Sequence, residues 1–242
     1  MIRRVLLWLG APLGLLVLLA FALLEWPGLF FPYRLAGATI IVESDRPIPL
    51  AGGTRLIAAC TQLLQRSPLK ATAAPNRIYV TNEAWHHRLY FLPVPGAIGA
   101  TYAYGLGAAS FMSGADFPAG RIVHGAYIPA PPRTLAYLCA HELTHIITAE
   151  HVGIIRFYAM PDWVREGFPD YVGIEHRESF EQLRAELGAR PEDNLLRASY
   201  GSYPRYRLLV TYFLEKRKWP VERLLHTDLT QAEATAIMQG SR

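Results

Sequence analysis

The chain has 242 residues, of which 51% are hydrophobic and only 18% charged, with a formal net charge of +4 and a mean hydropathy just above zero. This profile excludes intrinsic disorder and collagen-like repeats, and it is more apolar than that of an ordinary cytosolic domain. The basic excess is small and forms no Lys/Arg run, so no nucleic-acid partner is expected.

The apolar excess is concentrated at the N-terminus. Val5 to Leu24 carries no charge, and at about 1.5 Å per residue a helix over it would span roughly the 30 Å hydrocarbon core of a bilayer. Arg3 and Arg4 precede this run and Arg34 is the first basic residue after it. That placement predicts a single-pass anchor over residues 5–24, a cytoplasmic N-terminus, and a body over residues 27–242 on the periplasmic or extracellular side. Trp26, Phe30, Phe31 and Tyr33 would form the outer aromatic belt. Ala20-Phe21-Ala22 also offers a small-x-small site, which leaves open a protein secreted after signal cleavage.

The body reads as α+β, a small mixed sheet over residues 38–130 followed by a mostly helical half over 131–242. Thr39 to Val42 is β-branched and strand-like. Thr54 to Gln65 has apolar residues at helical spacing, with Thr54 as N-cap. Cys60, within it, and Cys139 are too few for a disulfide framework; one bridge and two buried thiols both remain open. Asn76 to Thr81 reads as a strand, and His86 and His87 as loop residues. From Pro95 to Gly120 glycines recur beside aromatic and small residues, which predicts hairpins or close backbone approach. Arg121 to Ile128, which includes His124, reads as a strand.

After Pro129-Ala130-Pro131-Pro132 a helix is predicted over Arg133 to about Ala149. It is apolar on nearly every side, hence buried, yet it carries His141, Glu142 and His145. An uncompensated carboxylate there would cost several kcal/mol. These three residues form H-E-x-x-H, in which histidines four apart lie one above the other and can share one zinc ion. Glu142, about 100° round the helix, stands beside the metal without being forced to bind it, the position of a general base for metal-activated water. Cys139, two residues before His141, should face away.

Further on lies Pro161-Asp162-Trp163-Val164-Arg165-Glu166-Gly167-Phe168-Pro169-Asp170-Tyr171. HELTH followed by P-x-W-V-x-E-G-x-x-D-Y resembles the gluzincin type of zincin metallopeptidase, strongly over residues 138–171. The resemblance implies a zincin-like domain with one Zn(II) ion, Glu166 as third ligand, Asp170 as the carboxylate that orients a ligand histidine, and a peptide or protein substrate. It also implies a later Tyr that stabilises the oxyanion, here Tyr206 or Tyr203, with Arg207 nearby. Pro169 departs from the pattern, and should kink or start its helix. His151 lies six residues after His145, the spacing of a metzincin third ligand, with Met160 for that group's methionine turn. Thr148 replaces the Gly such a turn needs, and six residues on an unbroken helix is about 240°, which points His151 away.

Phe180 to Gly188 reads as a scaffold helix, and Thr230 to Glu233 as a capping box opening the last one; His176 and His226 carry no motif. The expected function is a zinc metallopeptidase. The reading from another class is a non-catalytic, membrane-anchored zinc-binding or assembly factor of the same fold.

Overall fold

The computed structural model describes residues 25–70, 75–104, 107–123, 133–174, 178–189 and 203–240, with single positions between 12 and 23. The domain is α+β. Strands β1 (Tyr33–Ala36), β2 (Ile40–Ser44), β3 (Asn76–Thr81), β4 (Gly99–Tyr104) and β5 (Gly107–Ser113) form a mixed sheet in the order β1-β2-β3-β5-β4. The pairs β2/β3 and β3/β5 are parallel, while β1/β2 and the β4/β5 hairpin are antiparallel. β6 (Ala115–Asp116) and β7 (Arg121–Ile122) make a separate two-stranded ribbon.

Alternation along the strands divides the sheet's two faces. Ile78, Val80 and Met112 pack on helices α1 (Leu50–Arg66) and α3 (Leu135–Val152). Tyr79 and Phe111 point the other way, into an aromatic cluster with Phe31, Tyr90 and Phe91. This second cluster involves helix α2 (Ala84–Tyr90), so His86 and His87 are helical rather than loop residues. His86 is buried with its Nδ1 2.8 Å from Asp45, and His87 stacks on Phe91.

The second half is helical: α3, α4 (Ile154–Ala159), α5 (Asp162–Arg165), α6 (Gly167–Gly173), α7 (Phe180–Ala189), α8 (Tyr203–Thr211), α9 (Val221–Leu225) and α10 (Gln231–Gly240), with a π-helical turn over Tyr212–Lys216 continuing α8. Their core gathers Trp163, Phe168, Leu209, Phe213 and Leu224. The Trp163 indole N–H donates to the Leu229 carbonyl at 2.7 Å. Arg156 donates to the carbonyls of Leu225 and Thr227 and pairs with Asp228, tying α4 to the C-terminal helices.

Side-chain capping sets the start of two helices. Thr134 is the N-cap of α3, its hydroxyl accepting the Tyr137 N–H at 3.0 Å. Thr230 and Glu233 form the expected reciprocal capping box. α1 starts at Leu50 after Pro49, four residues before the expected cap at Thr54. Gly52 and Gly53 weaken a helix by propensity, but tertiary packing selects them: a Cβ on Gly52 would lie 2.6 Å from the Phe117 carbonyl oxygen. Cys60 and Cys139 are buried free thiols in contact with each other, so Cys139 faces α1 and not His141.

Two expectations need correction. The expected anchor over residues 5–24 lies largely outside the described residues, and among the described residues no helix is long and apolar enough to cross a membrane. The single-pass topology and the orientation drawn from Arg3 and Arg4 are overturned with it. The described end of the run lies against the domain: the Tyr90 hydroxyl donates to the Leu23 carbonyl, and the Phe21 ring stands 6.3 Å from that of Tyr104. The strand expected over 121–128 is described only as Arg121–Ile122 and belongs to the small ribbon. His124 and His176 fall outside the described residues.

Candidate metal centre

α3 is buried along nearly its whole length, because the sheet covers one side and α6 another. Within it His141 and His145 stand one turn apart, with ring centroids separated by 4.9 Å. The third group arrives from the break between α5 and α6. Glu166 ends the first of these helices and opens the second, and the Asp170 N–H donates to its carbonyl at 3.1 Å. Pro169 is accommodated there because the first turn of a helix has N–H groups without intrahelical acceptors, so a missing one costs little.

Glu166 Oε2 lies 3.6 Å from His141 Nε2 and 3.5 Å from His145 Nε2, while Oε1 faces Arg165 Nε at 3.6 Å. Ligand atoms around a tetrahedral ion with bonds of about 2.0–2.1 Å stand about 3.3–3.4 Å apart, so these separations need little adjustment. The two imidazole nitrogens and the carboxylate oxygen all lie within 4.8 Å of one another, and the group could hold a metal ion. His151, by contrast, is exposed in the last turn of an unbroken α3, and Met160 is buried in the helical core.

The electrostatics favour a cation at this point. Burial alone would raise the Glu166 carboxyl, but the two histidines outweigh it and hold the group far below the usual carboxylate range. Burial alone would lower His145, yet the carboxylates of Glu166 and Glu142 reverse that and leave the ring more basic than a free imidazole. Glu142 is 4% exposed, and its carboxyl is raised, chiefly by burial.

Asp170 is not beside either imidazole nitrogen. Its two oxygens accept from the Tyr137 hydroxyl at 2.5 Å and from Arg207 at 2.9 Å, and Arg207 also reaches Glu178 at 3.2 Å. Its partner Tyr137 has its ring centroid 5.7 Å from that of His141. The Nδ1 atoms of both histidines are buried without a hydrogen-bond partner among the described residues. The two candidate tyrosines separate clearly. Tyr203 lies with its ring 5.6 Å from that of His141 and under the Arg133 guanidinium, and burial, then Glu166 and Glu142, keeps its hydroxyl protonated well above the usual range. Tyr206 packs on the helical core, and its main chain touches Gly167, where a Cβ would lie 2.8 Å from the Tyr206 carbonyl carbon.

The motif reading missed Gly99 and Thr101 on β4. The Thr101 hydroxyl donates to Glu142 Oε2 at 2.7 Å, and a Cβ on Gly99 would lie 2.6 Å from Glu142 Cδ. The glycine recurrence between Pro95 and Gly120 signalled close backbone approach without naming the partner. Gly99→Ala should displace the carboxylate and lower the unfolding midpoint by a few degrees, since overpacking costs about 1–3 kcal/mol. Differential scanning calorimetry checks this, and an unchanged midpoint would show that the contact needs no glycine.

No family model and no curated protein matches this chain.

Proposed function

We propose that the chain is a zinc-dependent metallopeptidase that hydrolyses peptide bonds in a peptide or protein substrate. The observation that carries this reading is the convergence of His141, His145 and Glu166 beside a second carboxylate, Glu142, that belongs to the same helix but not to the ligand group. A purely structural site would fill its four positions with protein ligands and needs no neighbouring base. One Zn(II) ion held by His141, His145 and Glu166 would polarise the substrate carbonyl and make water a stronger acid.

The chain's own groups then have distinct tasks. Glu142 accepts the proton of the attacking water and passes it to the departing amine, a role suited to a carboxyl whose burial raises its proton affinity. Tyr203 keeps its hydroxyl proton and donates a hydrogen bond where negative charge grows on the carbonyl oxygen. β4 has a strand on one side only among the described residues and runs past Glu142, so an extended peptide can pair along its other edge beside Gly99 and Thr101, short of Ala103, whose N–H donates to the Tyr158 hydroxyl.

The test is hydrolysis of a mixed peptide set by the purified chain, its loss on chelation and its return with zinc. A zinc-loaded chain that cleaves nothing would favour the non-catalytic binding or assembly factor. Within the active protein, Tyr203→Phe should lower kcat by about 10²- to 10³-fold with zinc retained, in the range of losing one oxyanion donor. Tyr206→Phe should stay within about twofold, as removal of a hydroxyl away from the site should. Equal losses in both variants would remove Tyr203 from the mechanism.

A further inference from the structure

β4 and β5 carry two hydroxyls side by side where the sheet meets α3. Thr101 and Ser110 are direct partners in the antiparallel register, and their oxygens are 2.6 Å apart. Both face the same residue of α3: Ser110 Oγ is 3.1 Å and Thr101 Oγ1 3.2 Å from the Glu142 main-chain oxygen, and Thr101 Oγ1 is 2.7 Å from Glu142 Oε2. The surrounding contact is apolar, built from Met112, Leu143 and Ile146, and a hydroxyl pair has no place there unless acceptors lie opposite. Ser110 is fully buried.

The donors can be counted. Each hydroxyl has one proton. If Thr101 donates to the Glu142 carboxylate, the 2.6 Å contact requires Ser110 to donate to Thr101, so that the two protons run in one direction and end on Oε2. That arrangement supplies a donor to both short contacts and leaves the two longer ones, to the Glu142 main-chain oxygen, without a proton. On the other side of the carboxylate, Gly99 removes the side chain that would otherwise occupy the place of Oε1. One oxygen is therefore tied to the strand and the other directed over Gly99, which fixes the rotation of a side chain that has three free torsions.

We infer that Thr101, backed by Ser110, is a positioning residue for Glu142, holding the base in one orientation from the edge strand of the sheet. The inference rests on the metallopeptidase reading for the task of Glu142, and on the hydrogen-bond geometry for Thr101. Misplacement of a reacting group by about 1 Å costs up to about 10²-fold in rate, so a clamp of this kind acts on kcat and leaves ground-state binding alone.

Two measurements test it on the full chain. Thr101→Val keeps the shape and removes the hydroxyl; it should lower kcat roughly ten-fold with KM and zinc content unchanged, and Thr101→Ser should recover activity to within about twofold. A loss shared between kcat and KM, or no recovery with Ser, would make Thr101 a packing residue and overturn the inference. The second measurement needs no activity: thermal unfolding of the metal-free chain in a cycle of Thr101→Val, Glu142→Leu and the double variant. Thr101→Val should lower the midpoint in the parental chain and not in the Glu142→Leu background, because only the first strands a buried carboxylate. Additive changes in a chain that is active would overturn the inference alone. A chain with the expected coupling but without hydrolysis would overturn the metallopeptidase reading, and would leave Thr101 a structural partner of Glu142, contrary to the inference.

Discussion

Replacing Glu142 with Gln should abolish nearly all hydrolysis while leaving the metal in place. Gln has the same shape, and its amide oxygen can still accept from Thr101, so the packing against Gly99 is kept. It cannot take a proton from water, and the usual worth of a general base is about 10²- to 10⁴-fold. The ligand atoms belong to His141, His145 and Glu166, none of which the substitution displaces. Stability should hold or improve, because a buried carboxyl disfavoured by desolvation becomes a neutral amide. Peptide hydrolysis and zinc per chain, measured on the same preparation, check the result. Joint loss of metal and activity would make Glu142 part of the binding site instead. Activity equal to that of the parental chain would remove it from the mechanism altogether.

The second large effect is expected at Glu166. Its Oε2 is the point on which both histidine Nε2 atoms converge, so Glu166→Ala leaves two imidazoles on one helix and no carboxylate. Zinc retained through dialysis should fall from about one per chain to a small fraction, and the rise in unfolding midpoint on adding zinc should largely disappear, since a bound ligand stabilises a fold by an amount that grows with the logarithm of its concentration over Kd. His151→Ala removes an exposed ring at the end of α3 and should retain both. Zinc analysis of the two variants after identical dialysis decides between them. Metal kept by Glu166→Ala and lost by His151→Ala would refute the proposed ligand set.

The two histidines that could share a metal ion were legible in the sequence because their geometry is local. A four-residue interval on a helix places His141 and His145 on one face whatever surrounds them, and Thr148 in place of Gly keeps α3 straight and His151 turned away. The capping box at Thr230, the strand at Asn76–Thr81 and the hairpin in the glycine-rich stretch were legible for the same reason, since each is specified by residues within a few positions. Long-range pairing was not. The apolar run at residues 5–24 satisfied a count of uncharged positions, yet no helix among the described residues meets the demand of a membrane span. Asp170, read from its interval to Glu166, takes Tyr137 and Arg207 as partners, 33 and 37 residues away.

What the sequence by itself determined is the helix that carries two imidazoles and a carboxylate; Glu166 was named as their companion by the resemblance of its surrounding motif, not by an interval. Only the tertiary structure decided that Tyr203 and not Tyr206 stands by His141, that Glu142 is held from β4, and that Gly99 makes room for it. The reason is physical: backbone periodicity fixes which side chains share a face within one element, whereas which faces meet is set by packing the whole core, and no interval in the chain encodes it.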